Sequence, residues 1–232
     1  MTAKVVQFKQ IGPVTFIKNR RSKNIKIRVK PDQSVYVSFP FYVSMSEVSQ
    51  FVNKNLEWVT YQQQKFETRK SKIEAGLIQT KFHSVSVIKG LGYKTKANFN
   101  DIEIWLADFD SDSSRSYLEN AMVGIYRVEA QKILPLRLTE LAQNHGFQFN
   151  RLTIRNNKRN WGSCSARNNI SLNLQMMKLP DELIDYILLH ELVHTRIKHH
   201  GPQFWAKLDE LTGLRARELS KQVRKFSTYF DA

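Results

Sequence analysis

Cysteine is nearly missing from this chain: Cys164 stands alone in 232 residues. An intramolecular disulfide is excluded, and so are structural zinc sites built on two or more thiolates. No apolar run approaches the roughly 18 residues of a membrane span. The N-terminal stretch MTAKVVQFKQIGPVTFIKNRR has no continuous apolar segment of the signal-peptide kind. A cytoplasmic, reducing compartment is therefore the expectation. No Gly-x-x-x-x-Gly-Lys phosphate loop and no Gly-x-Ser-x-Gly elbow occur, which removes the commonest nucleotide-binding and serine-nucleophile signatures. Internal repeats and low-complexity linkers are absent, and nothing in the chain specifies an oligomeric state.

Acidic residues are also scarce. Asp and Glu number 21 against 36 Lys and Arg, for a net charge of +15. Such a chain attracts an anionic substrate or a polyanion such as nucleic acid, nucleotides, acidic peptides or an anionic membrane surface. The excess is clustered. Lys18, Arg20, Arg21, Lys23, Lys26, Arg28 and Lys30 form one group; Arg215, Arg217, Lys221, Arg224 and Lys225 form another.

Periodicity gives the elements. Val14–Ile17, Ile25–Val29 and Val35–Phe39 alternate with period two and read as antiparallel strands, with Pro31-Asp32-Gln33 as a turn. Ser44 and Glu47 have capping-box spacing, and Val48, Phe51, Val52, Leu56 and Val59 predict one helix to about Arg69. Residues 82–88, 93–99 and 102–107 read as further strands. A long helix is expected over 114–144, kinked or split at Pro135. Strands 151–155 and 169–174 flank a loop over 156–168. Helices follow over 181–197, from Pro202 to Gly213, and over 215–229. The order predicts an α+β fold. It has a β-rich region with one long helix over 1–112 and a metal-binding catalytic region over 113–232, expected as one compact unit.

The chemistry-bearing pattern is His190-Glu191-Leu192-Val193-His194. Residues four apart on a helix differ by about 40° around the axis, so both imidazoles share a face. That spacing lets two nitrogens bind one zinc ion at about 2.0–2.1 Å, with Glu191 beside it as a general base. A catalytic zinc needs a third protein ligand. His199 and His200 lie downstream, and on a continued helix neither would reach the metal. Gly201-Pro202 shows that the chain turns. His200, six residues after His194, is favoured over His199. Arg155, Arg159, Ser163 and His199 are candidates for contacting substrate or stabilising negative charge in the transition state. The Trp161-Gly162-Ser163-Cys164 segment reads as structural or substrate-contacting, with Gly162 permitting a tight turn. Phe204 and Trp205 read as core anchors of the following helix.

Several segments together resemble the YgjP-like metallopeptidase family: Trp161-Gly162-Ser163-Cys164-Ser165, Ile170-Ser171-Leu172-Asn173, Leu179-Pro180, Tyr186 through His194, and His200-Gly201-Pro202-Gln203-Phe204-Trp205. The likeness extends over about residues 15–227. It implies a zincin-like metallopeptidase fold related to SprT-like metalloproteases, with an N-terminal β-rich region. It further implies one Zn2+ per chain on His190, His194 and His200, with Glu191 catalytic. Where the family more often has asparagine, this chain has His199. Three functions follow: a zinc-dependent metallopeptidase, a metal-dependent phosphohydrolase acting on nucleotides, or a nucleic-acid-binding module with a structural metal. Other divalent metals also suit a three-histidine set.

Overall fold

Alternating apolar and basic residues near the N-terminus form strands because one face can be buried while the other stays in water. The computed structural model describes residues 3–30, 32–68 and 73–229, with the side chains of 65–68 left aside. The chain divides into two compact units, 1–71 and 72–232.

In the first unit, β1 (Ala3–Phe8), β2 (Gly12–Lys18), β3 (Lys26–Val29) and β4 (Val35–Phe39) form a sheet in the order β1-β2-β4-β3. The expected all-antiparallel arrangement is corrected here: β2 and β4 run parallel, while β3 and β4 are antiparallel. The link after β2 carries the chain past the sheet centre, and β4 returns between β2 and β3. The residue Asn19 marks the departure, its N–H donating to the Phe39 carbonyl at 2.9 Å. Strand β1, which the periodicity did not predict, pairs antiparallel with β2. Of the expected turn, Asp32 and Gln33 are seen, with Gln33 at φ 64°, while Pro31 lies outside the described residues.

The capping box at Ser44 and Glu47 is complete in both directions. The single helix expected after it is two, α1 (Met45–Lys54) and α2 (Leu56–Thr68). Asn55 interrupts them, its side-chain amide donating to the Phe51 carbonyl at 2.7 Å in competition with the backbone ladder. The expected end near Arg69 lies outside the described residues. Val48, Val52 and Val59 from the helices pack on Val14, Phe16, Val35, Val37 and Phe39 from the sheet.

The second unit begins with β5 (Gly76–Gln79), β6 (Ser84–Lys89), β7 (Lys94–Asn98) and β8 (Asp101–Leu106), ordered β5-β6-β8-β7. Helix α3 (Asp112–Asn144) follows without a split at Pro135. Leu134 and Leu138 on either side of the proline are fully buried. Each contributes about 1.5–3 kcal/mol of burial, which offsets the roughly 3 kcal/mol a helix-interior proline costs. The units therefore divide at residue 71, where the sequence suggested 112. The reason is a shared core: Val85, Ile102, Ile104 and Leu106 of the second sheet lie in one cluster with Leu118 and Met122 of α3.

A buried carboxyl joins the same two elements. Glu129 of α3 is 0% exposed. It accepts from the Thr80 hydroxyl at 2.5 Å and the Phe82 N–H at 2.9 Å, and it meets His83 Nδ1 at 2.8 Å. A Glu129→Ala change leaves these part-buried donors without their acceptor. Urea unfolding of this variant is expected to show a loss of about 3 kcal/mol.

The rest of the unit contains β9 (Arg151–Arg155), β10 (Gly162–Cys164), β11 (Asn169–Asn173), a 3₁₀ turn over Leu174–Lys178, α4 (Asp181–Val193), α5 (Pro202–Leu211) and α6 (Ala216–Val223). The sheet order is β10-β11-β9, with β11 parallel to β9 and antiparallel to β10. Strand β10 is thus an edge strand, inside what the sequence suggested was a loop. Helix α4 stops at Val193 and α6 at Val223, both shorter than the periodicity predicted. Among the described residues, no helix is long and apolar enough to cross a membrane.

Candidate metal centre

Helix α4 starts after Pro180 with Asp181 and Glu182 in its first turn, where carboxylates suit the helix dipole. Leu183, Ile184, Ile187, Leu188, Leu192 and Val193 bury it on several sides. His190, Glu191 and His194 are thereby held on a rigid, nearly immersed element.

The chain leaves the helix at His194. The Thr195 hydroxyl donates to the Leu192 carbonyl at 2.7 Å and occupies the last turn. The next residues fold back, and Gly201 becomes the N-cap of α5 with Pro202 in its first turn. This reversal brings His200 over the helix. His200 Nε2 lies 3.1 Å from His194 Nε2 and 3.1 Å from His190 Nε2. Among the described residues, these three histidines form the group whose ligand atoms all lie within 4.8 Å of one another. His199 is exposed, with its ring beside Gly201, and is not part of that group.

Phe204 explains how the imidazoles stay together. It is fully buried, and its ring centre lies 4.8, 4.5 and 4.7 Å from those of His190, His194 and His200. The expected core anchor is also the floor of the histidine cluster. Trp205 instead carries Arg217 over its ring at 3.5 Å.

The protonation pattern follows from the partners. His194 Nδ1 lies 2.9 Å from the Ile197 carbonyl, which can only accept. Nδ1 therefore carries the proton, and Nε2 of the neutral ring presents a lone pair to the cluster centre. Burial, reinforced by the two neighbouring imidazoles, holds His190 down to about 3. Burial likewise lowers His194. Both rings are therefore neutral at pH 7. Three nitrogens at tetrahedral positions about 2.05 Å from one ion would lie roughly 3.3 Å apart. The two 3.1 Å contacts fit that spacing, the third pair lies within 4.8 Å, and neutral imidazole is the form that ligates zinc.

Glu191 is 5% exposed, and burial pushes its carboxyl up to about 8. Its Oε2 is buried with no hydrogen-bond partner among the described residues. A buried, unpaired carboxyl oxygen on the same helix as two of the three clustered imidazoles suits a site built around a cation. Gly162 of β10 lies against it. A Cβ there would sit 2.6 Å from Glu191 Oε1 and 2.7 Å from its Cγ. The glycine is needed for close approach rather than for the tight turn the sequence suggested.

The raised Glu191 value sets a pH dependence for the metal-free protein. Its folded value lies above the ordinary 4.5, so its contribution to stability is complete below about 4.5 and is lost as pH rises through about 8. In chelator-treated protein, Glu191→Gln is expected to raise the melting temperature by several degrees near pH 8.5 and to change it little near pH 4.5. Thermal scans at the two pH values check this.

A cavity of 250 Å³ adjoins the centre, lined by His190 and Glu191 with Trp161, Tyr186, Val223 and Arg224. Arg155, Arg159, Ser163 and His199 do not line it. Arg155 and Ser163 instead share a 380 Å³ cavity with Arg151, Thr153 and Ser171. Arg159 is exposed in the loop before β10. Sequence reasoning missed Tyr186 and Arg224. Tyr186 was findable, lying four residues before His190 on the same helix. Arg224 stood out only as one member of the C-terminal basic cluster.

Residues 23–225 match the YgjP-like family, described as a metallopeptidase domain. Two solved structures are similar to part of the chain. One is the metallopeptidase zymogen of Methanocaldococcus jannaschii jannalysin, at 24% identity over 38% of this chain and 91% of that one, with a TM-score of 0.35. The other is the metallopeptidase zymogen of Pyrococcus abyssi abylysin, at 26% identity over 40% of this chain and 95% of that one, with a TM-score of 0.36. No curated protein matches the chain.

Proposed function

Because this chain belongs to the YgjP-like metallopeptidase-domain family, we propose that its hydrolytic centre is one zinc ion held by His190, His194 and His200, with Glu191 as the general base. The observation that carries this reading is the convergence of three histidine nitrogens beside the unpartnered Glu191 Oε2. When bound, a divalent ion there supplies Lewis acidity, which acidifies water and polarises the oxygen of the bond to be cut.

The protein's own groups do the rest. Glu191 accepts the proton of the attacking water and passes it to the leaving nitrogen. The His194–Ile197 hydrogen bond fixes the ring orientation and tautomer. Phe204 excludes water from beneath the histidines. Among the described residues, edge strand β10 has one side free of strand partners, where Asn160 Nδ2 donates to the Gly162 carbonyl at 2.9 Å, and Gly162 lies against Glu191. An extended peptide that pairs with this edge would pass the base, which favours a peptide over a nucleotide as substrate. The apolar wall of the adjoining cavity, Trp161, Tyr186 and Val223, suits a nonpolar side chain of that peptide.

Elemental analysis of untagged wild type and His200→Ala tests the centre. About one zinc per chain is expected in wild type, with loss or marked weakening in the variant. Wild-type protein that binds no zinc when it is offered would sink the proposal. Unfolded protein and nucleoside triphosphates, tested side by side, then separate peptide cleavage from phosphoanhydride cleavage. Turnover of the triphosphate alone would overturn the peptidase reading.

A further inference from the structure

The first unit carries a surface that the hydrolytic centre does not use. Residues 3–30 contain nine Lys and Arg and no Asp or Glu. Strand alternation sorts what lies around them. Val14, Phe16, Val35, Val37 and Phe39 face the unit's own helices. Among the described residues, the opposite sheet face carries no helix or strand of this unit. Register places Val5, Thr15, Tyr36 and Arg28 in one row across it, and Ile17, Ser38 and Lys26 in the next. Lys26 and Arg28 are exposed.

Aromatic rings are interleaved with these cations. Lys30 Nζ sits 3.7 Å from the centre of the Tyr36 ring. Where β2 and β4 end together, Lys18 and Arg20 lie 5.2 and 5.4 Å from the ring centre of Phe41, itself 57% exposed. Of the nearby acids, Asp32 bonds Ser34 in the β3–β4 turn within electrostatic reach of Lys30 and Tyr36, and Glu47 serves the cap of α1.

We propose that the basic surface of this unit binds single-stranded nucleic acid, with Lys26 and Arg28 on the open sheet face and Lys18 and Arg20 at the end of β2 on phosphates, and the rings of Tyr36 and Phe41 against unpaired bases. Lys26 and Arg28 are about 6.7 Å apart along one strand face, an interval that one sugar-phosphate repeat of an extended strand can span. Phosphate contacts supply affinity, and exposed rings supply stacking surfaces. A duplex hides its base faces and an acidic peptide has none, so the rings select for unpaired bases.

Fluorescence anisotropy of the full chain with a labelled thymidine 15-mer, titrated across salt, tests this. Four phosphate contacts predict a slope of about −2.8 for log affinity against log salt. Lys26→Glu with Arg28→Glu is expected to flatten it by about 1.4. Phe41→Ala is expected to weaken binding roughly tenfold at unchanged slope. Unaltered thermal unfolding shows that each variant is folded; Lys18→Glu with Arg20→Glu replaces the first pair if that pair unfolds. No binding at about 10⁻⁴ M in low salt overturns the proposal. So does a duplex bound as tightly as the single strand, or heparin bound equally well with Phe41→Ala inert. Capture of anionic vesicles without binding of the oligonucleotide would assign the face to a membrane surface and overturn it as well.

Discussion

Glu191→Gln is expected to lower peptide hydrolysis by about 10²–10⁴-fold while the protein keeps its metal. The amide is nearly isosteric and fits the same pocket beside Gly162, so packing of α4 is preserved. What disappears is the ability to accept a proton. The three imidazoles are untouched, because their seats depend on Ile197, Phe204 and the turn at Gly201. The check is a kinetic assay paired with elemental analysis on one preparation. Full activity with metal bound would remove Glu191 from the mechanism. Loss of metal together with activity would instead give it a structural part in the centre.

Gly162→Ala is expected to cost about 10²-fold in kcat, although it adds a single methyl group at a residue that is not itself a proposed ligand. The new Cβ would meet Glu191 at Oε1, Cγ and Cδ at 2.6, 2.7 and 2.9 Å. A clash with a flexible tip alone could be relieved by rotation. Here the Cγ is struck as well, and the space open to this residue, only 5% exposed, is the cavity it lines. Either the carboxyl swings away from its working position or β10 moves off the helix. Metal content near that of wild type with depressed kcat is the expected signature. Normal kcat would show that the site can absorb the methyl and that Glu191 tolerates displacement.

Both results bear on one small region whose halves were unequally visible in the chain. The pattern His190-Glu191-x-x-His194 was legible because helical periodicity is local: four residues return to the same face whatever the surroundings. The choice of His200 over His199 was only favoured by spacing. It depended on how the backbone reverses after Val193, which the Thr195 and Ile197 hydrogen bonds and the Gly201 cap decide together. The Trp161-Gly162-Ser163-Cys164 segment was noticed, yet its role as an edge strand was not, since three residues carry too little alternation to identify a strand. Candidate contacts chosen by charge alone, Arg155 and Arg159, are not in the cavity beside Glu191, and Tyr186 and Arg224 are.

The amino-acid sequence by itself determined the local matters: the absence of disulfides, the basic excess, the α+β order, the capping box at Ser44 and Glu47, and two histidines and a glutamate on one helix. Each depends on residue identity or on spacing within a few turns. Tertiary structure alone decided the parallel pairing of β2 with β4, the division at residue 71, the unbroken passage of α3 through Pro135, and the meeting of Gly162 with Glu191. These depend on burial shared between distant segments, where several weak contacts outweigh a local preference. No window of sequence contains both partners of such a contact, so only the folded chain could show which of them win.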